Sequence, residues 1–377
     1  MKFFRNHIKA LSLILVGMGS VQIAVAQDMA AQELAAQDLT DDGPIGGFGL
    51  RLAYNSNLGA VAGVDFVSGR VFGLDHHLGL SAQVSKTDQR LNFDYSIPAL
   101  SDGSPEWGLA LFRNDSRATN VYNFDTLSYG IRPSWTRVLS DAAQLSVVAD
   151  VSSNQISNLA AGSSALIAND LGQSNKTGLA VKYKWQEGET VLRLSTGFAT
   201  TSDDQTFMKT EASFAKNWSA PDANIVVTSS LNMGHLAMTQ GQSNIGERFF
   251  LGTGQMRGFD LAGMGPRDLA AGNAALGGNS YGALKLDISF PNAVRGQDIF
   301  VPGMFFDMGS VWGLDNTNGG PTGTDPVDDQ NSIRSVIGLS AKIDFGRAAL
   351  NIYASRPLQK LSYDIESRFQ VSLAAKF

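Results

Sequence analysis

Cysteine is absent from the 377 residues of this sequence, which excludes a disulfide scaffold, a thiolate metal site and a thiol nucleophile. Charged residues make up 17% of the chain, below the share of about a quarter that is usual in soluble domains. No apolar run reaches the roughly 18 residues of a membrane-spanning helix. The net charge of −6 argues against nucleic acid as a partner.

A common phosphate-binding motif is also missing, because no Walker-type loop occurs in the sequence. His76 and His77 are adjacent, so in a strand they would point to opposite faces and could not chelate one ion. The sequence therefore predicts a protein that is not an enzyme and that uses no cofactor and no metal.

The N-terminal residues 1–26 have the pattern of an export signal. Three basic residues precede a short apolar run at 11–16, and Ala24-Val25-Ala26 is a small-residue cleavage site. We expect a cleaved signal peptide; the alternative is a membrane anchor, for which the run is short. Residues 27–45 then hold five acids and no base. A segment this short cannot bury a core, so we expect an acidic periplasmic stub.

From residue 46 onward, apolar residues recur at every second position, which is the period of a β-strand. The last ten residues show it best, because polar or small residues alternate there with Phe369, Val371, Leu373, Ala375 and Phe377. Similar segments recur along residues 46–377, separated by Gly, Asn, Asp, Ser and Pro. The pattern predicts an all-β domain.

A transmembrane barrel explains these strands better than a soluble sandwich or propeller. Many strands reach the roughly 9–11 residues that cross a bilayer at a tilt. The face opposite the apolar one carries charges, which a wet lumen accepts and a dry sandwich core does not; examples are Arg51, Lys182, Arg193, Lys285 and Asp287. Export and the apolar last strand agree with a barrel in the bacterial outer membrane.

The segments add up to about 16 antiparallel strands. An even number places both termini on the same side, which we expect to be the periplasmic one. The long connections at 158–173, 239–277 and 313–331 then share the external side.

The connection at 239–277 carries the most specific motif. It includes Gly246-Glu-Arg-Phe-Phe-Leu-Gly-Thr-Gly-Gln-Met-Arg-Gly-Phe259, then Gly265-Pro266, and Gly277-Gly278-Asn279 opens the next strand. Further on stands Met304-Phe-Phe-Asp307-Met-Gly-Ser-Val-Trp312. In this order the motifs resemble the BamA-type outer-membrane assembly factor family, also called the bacterial surface antigen family. The resemblance covers essentially the whole barrel.

Arg257 lies in the middle of this connection, in a Gly-rich stretch. If the connection folds into the lumen, the guanidinium loses hydration and needs carboxylate partners. Asp287 and Asp307 fall on the lumen side of adjacent strands, which lie roughly 5 Å apart, so one arginine could reach both. The resemblance implies that this contact locks the loop inside the barrel, with Gly258 allowing close approach and Phe259 packing on the inner wall. The alternative is an exposed arginine and two unrelated lumen acids.

The resemblance also implies functional roles for both ends of the barrel. In the family, the first and last strands meet in a weak junction that can open. Here the first strand contains Gly46, Gly47 and Gly49, and glycine weakens a strand interior; ordinary glycine richness is the alternative. The last strand would serve as a C-terminal insertion signal, carried by Phe369, Val371, Leu373 and Phe377.

Members that assemble or secrete proteins carry polypeptide-transport-associated domains before the barrel, and here only residues 27–45 stand in that place. We expect a protein that helps insert or translocate proteins, or lipids, at the outer membrane. Its partners would be outer-membrane lipids, lipopolysaccharide and a client outer-membrane or secreted protein. The alternatives are a passive porin-like channel and a structural surface-antigen barrel.

Overall fold

A computed structural model describes residues 46–376, apart from 56–58, 100–102, 119–121, 221–223 and 294–298. The expected signal peptide at 1–26, the acidic stub at 27–45 and Phe377 lie outside the described residues. Within the described ranges, no helix is long and apolar enough to cross a membrane.

Sixteen strands form a closed antiparallel barrel, which confirms the predicted fold class and strand number. The wall strands follow the chain in order: β1 (Gly46–Asn55), β2 (Gly59–Ser68), β3 (His77–Ser85), β4 (Asp88–Ile97), β5 (Glu106–Ser116), β6 (Asp125–Ser140), β7 (Ala143–Ser157), β8 (Gly172–Glu187), β9 (Thr190–Thr201), β10 (Thr206–Ala220), β11 (Ile225–Gln240), β15 (Ser280–Ser289), β16 (Phe300–Trp312), β19 (Arg334–Asp344), β20 (Ala348–Gln359) and β22 (Phe369–Lys376).

Short elements lie in the connections. They are helix α1 (Ala165–Ala168), a 3-10 turn (Leu269–Ala271) and six two-residue strands: β12 (Gly258–Phe259), β13 (Arg267–Asp268), β14 (Ala274–Ala275), β17 (Asn318–Gly319), β18 (Asp325–Pro326) and β21 (Glu366–Ser367). β13 pairs with β14, β17 with β18, and β12 with β21. The 239–277 connection therefore holds several short elements.

The two faces of the wall differ as the sequence alternation predicts. Large apolar side chains are exposed on the outer face, as Phe48, Leu50, Leu52 and Tyr54 are on β1. The inner face carries charges and polar groups such as Arg51. Arg51 alternates with these apolar residues on β1, and its cross-strand partners share the inner face with it. An exposed apolar belt of this extent is typical of a lipid-facing surface.

The barrel has two distinct ends. We call the end where β1 begins and β22 finishes the termini end, since Arg51 pairs with Lys376 there. We call the opposite end the loop end; the connections at 158–171, 241–279, 313–333 and 360–368 lie there because the strands alternate in direction.

The junction between β1 and β22, which we call the seam, is short. Within the described ranges it has five paired positions, from Arg51↔Lys376 to Asn55↔Ser372. By comparison, β1 and β2 share ten paired positions and β20 and β22 share seven. Among the described residues, Gly46, Gly47 and Gly49 lie outside the five paired positions.

Candidate functional site

The segment 241–279, between β11 and β15, is the most buried connection of the barrel. Phe249, Met256 and Phe259 are fully buried, and Leu251 nearly so. They form one apolar cluster with inward side chains of the wall, including Leu236, Phe305 and Val336. Because removing such side chains from water stabilises the contact, the segment is packed against the wall and not merely tethered to it.

Arg257 binds both acids that the sequence singled out. Its Nε and Nη2 donate to Asp307 at 2.8 and 2.6 Å, and its backbone N–H donates to the same carboxylate at 3.0 Å. Its Nη2 also donates to Asp287 at 3.1 Å, and its Nη1 contacts the other oxygen of that carboxylate. The side chain of Asp307 is 0% exposed, so its charge depends on this arginine for compensation.

Aromatic rings complete the surroundings of this guanidinium. Its carbon lies 3.8 Å from the centroid of Phe305 and 5.5 Å from that of Tyr353. Burial lowers the pKa of Arg257, but hydrogen bonds and charge from Asp307 and Asp287 outweigh it and hold the pKa above its usual value. The arginine is therefore permanently charged.

Gly258 and Phe259 follow this arginine in the short strand β12. Gly258 has φ +88, and a Cβ there would lie 2.6 Å from a methyl group of Val336. Both the backbone conformation and the close approach therefore require glycine. β12 pairs with β21, and the Phe259 carbonyl accepts from Gln370 Nε2 at 3.4 Å, so this part of the segment touches the start of the last wall strand.

Sequence reasoning missed a second ionic contact of the segment. Lys176 of β8 donates to Glu247 at 2.8 Å, and Lys209 of β10 donates to the Glu247 carbonyl at 2.8 Å. Burial raises the pKa of Glu247, but the two lysines outweigh it and hold the pKa below its usual value. The sequence did contain a signal for this contact, since the alternation places both lysines on the inner face and Glu247 lies within the motif at 246–259.

A third ionic contact was also missed. Arg334 of β19 donates to both oxygens of Asp364 at 3.1 Å, and the two side chains are 1% and 0% exposed. Asp364 lies in the connection 360–368, directly before the last wall strand. The neighbouring Ile365 exchanges backbone hydrogen bonds with Asp260 and Gly263 of the 241–279 segment.

At the loop end, several connections share one apolar cluster. It includes Phe124, Leu166, Ile167, Ile245 and Phe250. Helix α1 supplies two of these residues, and the Ser164 side chain caps its first turn by accepting from the Leu166 N–H at 3.2 Å. The connections therefore pack together and do not extend separately into solvent.

The other predicted residues that the structure describes lie on the wall. Phe369 is 60% exposed and Leu373 is 40% exposed on the outer face, with Val371 half-buried between them. In the described ranges, no group of three His, Cys, Asp or Glu side chains could hold a metal ion.

Known proteins share both sequence features and fold with this chain. A family profile described as the Omp85 superfamily domain matches residues 71–377. The "Outer membrane protein assembly factor BamA" of Neorickettsia risticii (strain Illinois) is 23% identical over 307 residues, which cover 78% of this chain and 40% of that protein. The chain thus spans well under half the length of this curated relative.

Two solved structures have a similar fold. BamA from Haemophilus ducreyi lacking POTRA domains 1–3 superposes with a TM-score of 0.74 at 15% identity, covering 88% of this chain and 70% of that one. CdiB from Acinetobacter baumannii gives 0.58 at 14% identity, covering 89% and 60%. At these identities the likeness concerns the fold alone.

Proposed function

Because the chain belongs to the Omp85 superfamily, we propose that it works in the bacterial outer membrane and assists the insertion or translocation of proteins, or of lipids. The observation that carries this proposal is the short seam, which has five paired positions in a wall where β1 and β2 share ten. Opening the seam breaks fewer backbone hydrogen bonds than opening the β1–β2 pair would, and each broken bond is costly because lipid cannot replace it, so the seam is the easier place for the wall to open.

The proposal includes the place of the 241–279 segment. We infer that it fills the lumen at the loop end and that Arg257, Gly258 and Phe259 lock it there with Asp287 and Asp307. In support, the segment contacts inward side chains of β8, β10, β15, β16 and β22. Contacts with the inner face of so many strands support a position inside the barrel.

The orientation follows from the same proposal. Residues 1–26 are removed on export, the stub 27–45 stays in the periplasm, and both ends of the barrel face that side. The outer apolar belt contacts outer-membrane lipids and lipopolysaccharide. Phe369, Val371, Leu373 and Phe377 act as the C-terminal insertion signal, and Gly46, Gly47 and Gly49 weaken the seam edge of β1.

The passive porin-like channel is the second candidate function, and the structural surface-antigen barrel is the third. The closed pairing of β1 with β22 is compatible with both functions. In a channel, a permanently paired seam would leave the lumen as the sole route for solutes. The many contacts of the 241–279 segment argue against an open lumen, since they bury this segment at the loop end of the barrel.

Reconstitution into liposomes separates these functions. The folding of a second, unfolded outer-membrane barrel and the release of a trapped dye are measured side by side, with empty liposomes as the control. We expect faster folding of the second barrel and little dye release. Dye release without assisted folding would support the channel. The absence of both activities would support the structural barrel.

A further inference from the structure

A row of hydrogen-bond donors crosses the inner face of five neighbouring strands near the termini end. In the register of β7 to β11, Gln144 pairs with Lys184, Lys184 with Arg193, Arg193 with Ser213, and Ser213 with Asn232. Lys184 and Arg193, the two cations, lie directly opposite each other. We call these five residues the cationic row.

Two cations in directly paired positions repel each other, which destabilises a sheet unless an anion lies nearby. Among the described residues, neither side chain forms an ion pair with an acid; the inward acid Glu211 pairs with Ser195, further from the termini end, and acts on Lys182. Two other inward cations are compensated, since Arg132 contacts Asp150 and Lys176 contacts Glu247. Lys184 and Arg193 thus lie together without such an ion pair.

The chain itself supplies a matching partner. Residues 27–45 hold Asp28, Glu33, Asp38, Asp41 and Asp42 and no base. They lead directly into β1, which begins at the termini end, the same end at which β8 finishes and β9 begins. The acidic segment and the cationic row are thus complementary in charge and adjacent to the same opening.

We infer that the cationic row binds the acidic segment 27–45 across the termini end of the barrel, through carboxylates that lie against Lys184 and Arg193. This inference goes beyond the proposed function, because it needs only the closed barrel and the charges on its inner face.

Chain length decides which acids take part. Sixteen strands about 4.8 Å apart enclose a barrel roughly 30 Å across. An extended chain spans about 3.3 Å per residue. Asp42 therefore reaches only about 13 Å from Gly46, whereas Glu33 reaches about 43 Å. Asp28 and Glu33 can cross to the far wall, and Asp41 and Asp42 cannot.

The absence of native cysteine makes a disulfide test direct. In the full-length exported protein, reconstituted in liposomes, Gln32→Cys is combined with Ser213→Cys, since Gln32 is uncharged and lies beside Glu33. Thr40→Cys with Ser213→Cys is the length control, because Thr40 reaches only about 20 Å from Gly46. Gln32→Cys with Ser81→Cys is the site control, because Ser81 pairs with the acid Asp65 on the inner face.

We expect the Gln32→Cys, Ser213→Cys pair to form a disulfide faster than both controls. Adding Lys184→Gln and Arg193→Gln should lower the rate of disulfide formation roughly fivefold, since each exposed ion pair contributes only modestly to binding. High salt should lower it as well. Lys342→Gln, which removes an inward cation of β19, should leave it unchanged.

Equal rates at Ser213 and Ser81, or no effect of Lys184→Gln and Arg193→Gln, would overturn the inference. Heat-modifiable migration on electrophoresis confirms that each variant is a folded barrel before its rate is used. If a variant fails to fold, protease protection of residues 27–45 at low and high salt in the unaltered protein decides instead. Salt-independent cleavage there would equally overturn the inference.

Discussion

Replacing Arg257 with alanine is the sharpest perturbation of the 241–279 segment. The change removes the side-chain bonds to Asp307 and Asp287 together. It leaves the fully buried Asp307 carboxylate with the backbone N–H of residue 257 as its remaining partner from this position. We expect the segment to open from the wall far more often while the strands stay intact.

The size of the effect follows from burial. Removing one partner of a buried ion pair costs about 3–5 kcal/mol, because the other charge remains without compensation. Since the backbone N–H is retained, we take the lower value, about 3 kcal/mol, which corresponds to roughly a 100-fold rise in the open population. Arg257→Lys should lie between, because lysine keeps the charge but lacks the planar fork.

Limited proteolysis measures this population when opening and closing are faster than cleavage. The rate of cleavage within 241–279 is compared between the unaltered protein, Arg257→Ala and Arg70→Ala. Arg70 forms an ion pair with Asp75 in which both side chains are largely exposed, so its loss should cost at most about 1 kcal/mol. Circular dichroism checks that strand content is unchanged.

A cleavage rate in Arg257→Ala within about twofold of the Arg70→Ala control would refute this reasoning, because the buried contact would then contribute no more than a surface pair. Loss of strand content in Arg257→Ala would also contradict it, since the account confines the damage to the segment.

Three further predictions concern other positions. Gly258→Ala should loosen the segment as well, because its Cβ would lie 2.6 Å from Val336 at a φ of +88; an unchanged cleavage rate would contradict this. Burial raises the pKa of Asp170 to about 6, so the folded form binds a proton more tightly than the open form. The closed form, in which the Ile245 N–H donates to Asp170, should therefore open more often at pH 7 than at pH 5, as hydrogen exchange corrected for its intrinsic pH dependence would show, and Asp170→Asn should remove that pH difference. Replacing Phe377 with a polar residue should impair membrane insertion, and normal insertion in a fractionation assay would disprove the role of the last strand.

The strands could be predicted because successive side chains of a barrel strand point alternately to the outer and the inner face. Apolar and polar residues therefore alternate along the sequence, and this pattern can be recognised without knowing which strands are neighbours. The expected number of about 16 strands agrees with the sixteen that form the barrel. Ends are less certain because turn residues and strand ends share the same composition.

Parity made Asp287 and Asp307 possible partners of Arg257, since both fall on the inner face of adjacent strands, and the family resemblance implied the contact itself. The contact between Arg334 and Asp364 could not. Asp364 lies in a connection with no periodicity, so nothing in the sequence states which way its side chain points. The five-position seam was equally hidden, because the sequence does not state the register in which β22 pairs with β1.

The central claim, that the seam opens during activity, is tested most directly by closing it covalently. Tyr54 and Leu373 are cross-strand partners at the seam, and Leu350 and Leu373 are partners within the β20–β22 pair, so cysteine pairs at these positions form matched disulfides. The measurement is assisted folding of a second barrel in liposomes, with each disulfide oxidised and then reduced. We predict that the Tyr54–Leu373 disulfide stops assisted folding until it is reduced, whereas the Leu350–Leu373 disulfide leaves it unchanged. Full activity with the seam disulfide intact would contradict the account.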